Sequence, residues 1–132
     1  MKDKYADLIN QTFDFPMDEF DVNEENELTY FDIPLMDVVE QYGTPLKFTF
    51  LPKISENIKK ARTWFNVAMA KVDYQGKYHY CYCTKSSHFS HVLEEVLKNE
   101  VHLETSSAFD INLILALHEQ GLVKKDKFIV CN

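Results

Sequence analysis

From Thr44 onward the hydrophobic period of this chain switches repeatedly between two and about 3.6. "PLKFTFL" alternates as a strand does, and Ile54, Ile58, Ala61, Phe65, Ala68 and Met69 then fall on one helical face, with Ser55 as the expected cap. "KYHYCYCTK" returns to period two, and Phe89, Val92, Leu93, Val96 and Leu97 return to the helical period. "VHLET" is a short strand. Ser107 followed by Asp110 has the capping-box spacing, and Ile111, Ile114, Leu115 and Leu117 carry a helix to Gly121. "KFIVCN" is a fourth strand. Strands separated by helices of roughly 10 to 15 residues predict right-handed βαβ units and a parallel sheet. Four such strands form a small open sheet or half of a (β/α)8 barrel, whose closed form takes about 250 residues.

Residues 1–43 differ in character. Tyr5, Leu8, Ile9 and Thr12 predict a short amphipathic helix, "DEFDVNEENE" reads as a solvated connector, and "ELTYFD" as a short strand. Pro34 opens a helix through Leu35, Val38, Val39 and Tyr42, which Gly43 closes. Residues 1–40 hold 12 of the 21 acids against Lys2 and Lys4, a net of −10, and the remainder carries +3. The expected division is an N-terminal extension, 1–43, and a βα segment, 44–132. A net charge of −7 with no basic stripe argues against a nucleic-acid partner. With 45% apolar residues the chain can bury a core, yet no run of 18 apolar residues and no export signal occurs. A cytosolic protein is expected, with Cys81, Cys83 and Cys131 as free thiols.

Within 78–85, strand alternation puts His79, Cys81, Cys83 and Lys85 on one face, and Tyr78, Tyr80, Tyr82 and Thr84 on the other. Lys85 then ends a strand at its carboxyl edge, where parallel α/β sheets place their sites, although a solvated lysine is the commoner outcome at a strand end. His79, Cys81, Cys83 and His88 are zinc-type ligands, but residues two apart on a strand project in parallel, so no metal site is expected. Ser86, Ser87, Ser106 and Ser107 are expected to cap helices. Three glycines, Gly43, Gly76 and Gly121, supply turns or helix ends and leave no phosphate-binding loop.

"YGTPLKFTFLPKISENIKKA", "YCTKSSHFSHVLEE" and "HLETSSAFDINLILALHEQG" resemble, in order, the opening of the fold type III pyridoxal-phosphate decarboxylases, nearest to the bacterial biosynthetic arginine decarboxylases. The resemblance spans residues 27–132. It implies an alanine racemase/ornithine decarboxylase-like fold, of which residues 44–132 would be the first half of the cofactor-binding (β/α)8 barrel. Residues 1–43 would join a C-terminal β domain. The family's cofactor lysine, which forms the Schiff base with pyridoxal 5'-phosphate, maps onto Lys85, and two acidic positions of its motif map onto Glu104 and Asp110. Cys83, Thr84, Ser86 and Ser87 depart from the family's commoner alanine, valine, alanine and asparagine.

The reaction implied by the resemblance is α-decarboxylation of a basic amino acid, most simply arginine to agmatine in polyamine biosynthesis, by a homodimer or higher oligomer. The family's ring-nitrogen carboxylate, phosphate-binding glycines and catalytic cysteine lie outside this chain. The 132 residues are therefore expected to be an N-terminal portion, inactive alone and poorly folded because a half barrel exposes sheet edges. Related ornithine or diaminopimelate decarboxylation, and a non-catalytic cofactor-binding or interaction module, are the alternatives.

Overall fold

The computed structural model describes residues 19–132, so the helix expected around Tyr5 lies outside the described residues. The described residues are mixed α/β with two small sheets, and the chain divides between Phe48 and Thr49 into two units.

In the first unit β1 (Phe20–Val22), β2 (Leu28–Tyr30) and β3 (Ile33–Pro34) form an antiparallel sheet in sequence order. The acidic "DEFDVNEENE" is thus no mere connector: Phe20 and Val22 alternate with Asp21 along a strand. Asn23 makes the turn that follows, its Oδ1 accepting from the N–H groups of Glu25 (3.1 Å) and Glu27 (2.8 Å). The second turn consists of Phe31 and Asp32, both at positive φ (48° and 61°), between the paired residues Tyr30 and Ile33. That is the type I′ geometry that suits a two-residue hairpin, built here without glycine. Helix α1 (Leu35–Tyr42) begins after Pro34 and ends at Gly43, whose φ of 78° supplies the left-handed residue. Tyr30 packs against Phe20, Phe31 and Phe48, the last at 5.1 Å between ring centroids. The Tyr30–Phe48 contact lies within the first unit.

The second unit carries the βα alternation. Helix α2 spans Pro52–Lys71, β4 Cys81–Cys83, α3 Ser90–Leu97, β5 His102–Thr105, α4 Ala108–Glu119 and β6 Ile129–Cys131. The three strands are parallel in the order β4, β5, β6, with Cys83 opposite Glu104 and Glu104 opposite Val130. The strand expected at "PLKFTFL" does not form. Residues 46–50 are irregular, because alternation of side chains makes a strand only where a neighbouring backbone completes its ladder. Helix α2 starts at Pro52 without a side-chain cap, so Ser55 lies one turn inside it, which corrects its expected capping role.

The helices cover one face of this sheet. On β5, Leu103 and Thr105 are buried while His102 and Glu104 are half-exposed. Leu103 packs with Leu93, Ile114, Leu117 and Val123. Ile58, Val92, Val96 and Val101 form a second cluster between α2 and α3, and Tyr82 and Leu97 touch both. Ser55 stitches the two helices together: it donates to Glu95 Oε1 and accepts from Asn99 Nδ2 at 2.9 Å. Lys98, 2.6 Å from Glu95 Oε2, together with Ser55, holds that carboxyl below its ordinary range.

Helix α4 closes with a Schellman arrangement. Gly121 (φ 77°) donates to His118 O at 2.9 Å and Leu122 to Leu117 O at 2.9 Å.

Candidate functional site at the carboxyl edge of the parallel sheet

Lys85 follows β4 in a single 3-10 turn, Thr84–Ser86, so the strand's side-chain alternation ends at Cys83 and Lys85 does not continue its face. It is exposed at the carboxyl edge of the sheet. The residue before it is fixed tightly: Thr84 is wholly buried, and its hydroxyl donates to the Glu104 carbonyl at 3.1 Å. Burial of Thr84 and exposure of Lys85 follow from one turn of backbone. The sheet therefore anchors the root of the lysine and leaves its amine in solvent.

Glu104 lies across from Cys83 on β5, and its Oε1 accepts from Asn132 Nδ2 at 3.1 Å. Burial pushes the Cys81 thiol up, with the Glu104 charge adding to the effect. The face of the sheet opposite Leu103 and Thr105 thus carries Cys81, Cys83, His102 and Glu104, small or polar groups that are only partly buried among the described residues.

Asp110 is placed differently. It is buried in the first turn of α4, where the expected capping box is present in modified form: Ser107 Oγ accepts from Asp110 N at 3.2 Å. The returning carboxylate accepts from Ser106 N (3.0 Å) and Ser106 Oγ (3.3 Å), one residue earlier than the usual box. Its carboxyl is held below the ordinary range chiefly by the Ser106 N–H, with the Ser107 and Thr84 hydroxyls also contributing. The Thr84 hydroxyl therefore meets the Glu104 backbone carbonyl beneath the edge on which Lys85 stands, with the Asp110 carboxylate beside it, while the Glu104 side chain lies on the other face with Asn132. Sequence spacing predicted Ser107 and Asp110, but Thr84 emerged only from the register of β4 against β5.

Ser86 and Ser87 do not cap α3, whose first residue is preceded by Phe89. The Ser87 carbonyl instead accepts from Tyr82 Oη at 3.0 Å, because three residues of irregular chain separate the turn from the helix.

At the opposite edge of the sheet His79 and His102 meet, Nδ1 to Nε2, at 3.0 Å. His102 Nδ1 accepts from the Phe128 N–H at 3.0 Å, so Nε2 carries the imidazole proton and is closed to a metal ion. Among the described residues no group of three or more His, Cys, Asp or Glu side chains is arranged to hold a metal, and His79, Cys81, Cys83 and His88 do not form one. No described helix is long and apolar enough to cross a membrane. Compared with protein-family models, curated proteins and solved structures, the chain matches none.

Proposed function

We propose that this chain is the N-terminal part of a pyridoxal-phosphate-dependent decarboxylase acting on a basic amino acid, most simply arginine, with Lys85 as the residue that binds the cofactor aldehyde. The observation that carries the reading is the combination at one edge of a parallel sheet: an exposed lysine whose preceding residue is locked in the core, next to strands that carry small and polar, partly buried side chains. A primary amine on a rigid root, at the carboxyl ends of parallel strands, suits covalent capture of an aldehyde. The residue types on that side suit such a group, since Cys81 and Cys83 are small and Glu104, paired with Cys83, supplies a carboxylate on the neighbouring strand. When bound, pyridoxal phosphate supplies an electron sink for the bonding pair released by loss of carbon dioxide.

In this reading Lys85 holds the aldehyde carbon, Glu104 orients the amine or the ring, and Asp110 acts indirectly by fixing Ser106 and Thr84. The cytosolic location and the oligomer belong to the same proposal.

The test is borohydride reduction of the 132-residue chain with pyridoxal phosphate, followed by peptide mapping. Selective label on Lys85, lost in Lys85→Ala, supports the reading. Label spread as readily over Lys124, Lys125 and Lys127 shows that Lys85 is an ordinary surface amine and sinks it.

A further inference from the structure

Away from Lys85, the amino ends of β4, β5 and β6 are joined by a chain of hydrogen bonds that runs through two imidazoles. The Phe128 N–H, one residue before β6, donates to His102 Nδ1 at 3.0 Å, and His102 Nε2 meets His79 Nδ1 at 3.0 Å. A backbone N–H can only donate, so His102 Nδ1 is the acceptor, its Nε2–H is the donor, and His79 Nδ1 accepts. Every position along this chain is committed. The Phe128 ring stacks on His102 at 4.3 Å between centroids and meets His79 edge-on at 5.1 Å. The backbone completes the joint: His102 N–H donates to Tyr80 O at 2.8 Å and Leu103 N–H to Phe128 O at 3.1 Å.

An added proton has no place in this arrangement. On His102 Nδ1 it would face the Phe128 N–H, donor against donor; on His79 Nδ1 it would face the His102 Nε2–H. Either protonation removes one hydrogen bond and sets a cation in the stack.

We propose that His102, with His79, is a pH-sensitive latch: neutral, it fastens the amino end of β6 to β5 and β4, and on protonation it lets that end go. The surroundings favour the neutral form. Burial holds His102 below the ordinary imidazole value, His79 and Lys127 act in the same direction, and Asp126 opposes them. Arg62, Asn66, Tyr78, Tyr80 and Glu100 complete the cleft of about 400 Å³ onto which the pair faces, and the Arg62 guanidinium is held there by the Glu100 carbonyl at 2.9 Å. Because the folded value is depressed, the latch contributes fully above the ordinary imidazole value and is lost as the pH falls through the lowered one.

The experiment is amide hydrogen exchange by NMR on the full chain, with rates corrected for their intrinsic pH dependence. Between about pH 7.5 and about pH 5, protection of the Phe128 amide is expected to fall about fivefold, the equilibrium change that one hydrogen bond is worth. His102→Asn offers Oδ1 as an acceptor that does not titrate, and its Phe128 protection should stay level. Unchanged protection in the unaltered chain, or an equal fall in His102→Asn, overturns the latch. A second reading needs no variant: imidazole 15N shifts at neutral pH should show His102 protonated on Nε2, and protonation on Nδ1 instead overturns it.

Discussion

Replacing Leu103 by alanine tests the placement of the whole parallel sheet. Leu103 is 0% exposed on the central strand, enclosed by Leu93 from α3, Ile114 and Leu117 from α4, and Val123 beyond it. The substitution removes three carbons, worth about 2.4 kcal/mol in transfer free energy at ~0.8 kcal/mol each. A cavity term of up to about 2 kcal/mol adds to this, because the neighbours belong to separate elements and cannot all close in on one gap. The total, about 4 kcal/mol, is a large share of the ~5–15 kcal/mol that keeps a domain folded. Leu115 lies one position from Ile114 on the same helix but is 53% exposed, so Leu115→Ala should cost about 1 kcal/mol or less. Urea unfolding followed by far-ultraviolet circular dichroism measures both. If Leu115→Ala proves as costly as Leu103→Ala, α4 buries its other side and the packing of Ile114 and Leu117 on Leu103 is wrong.

The Asp110 carboxyl, held low by Ser106, contributes stability that is present above the ordinary carboxylate range and lost as the pH falls through its lowered value. Asp110→Asn should therefore flatten the acid limb of a plot of urea midpoint against pH, and an unchanged acid limb would show that other carboxylates set it. Among the three free thiols, exposed Cys131 should react first with a disulfide reagent at neutral pH, with Cys81 slower because its thiol is pushed up by burial and Glu104. Mass mapping after partial reaction reads the order, and Cys81 leading would contradict the environment described for it.

Much of the second unit was legible in the residues because local physics wrote it there. Val92, Leu93 and Val96 are buried where helical periodicity put them, Ser107 accepts from Asp110 N, and Gly121 takes the left-handed conformation that ends α4. "ELTYFD" and the helix from Pro34 to Gly43 likewise follow from pattern and punctuation. Their signals lie within a few residues of one another.

What failed in the sequence failed for want of a partner or through competition. "PLKFTFL" has a strand's alternation but no ladder, and "DEFDVNEENE", dominated by charge, hides Phe20 and Val22, which pair with β2. Phe31 at positive φ defeats a turn search keyed to glycine and asparagine, and Ser55 could not cap a helix that Pro52 had already begun.

The candidate site divides in the same way. Asp110 was readable from its spacing to Ser107, whereas alternation carried Lys85 onto the face of Cys81 and Cys83 and the 3-10 turn Thr84–Ser86 takes it off that face. That Thr84 would be buried against Glu104, and that His79, 23 residues from His102, would share a hydrogen bond with it, depends on parallel register. Register is fixed by which backbones lie side by side, and a single chain's pattern carries the period of each strand but not the offset between strands. The sequence by itself determined where helices and strands could form. The tertiary structure decided which side chains met.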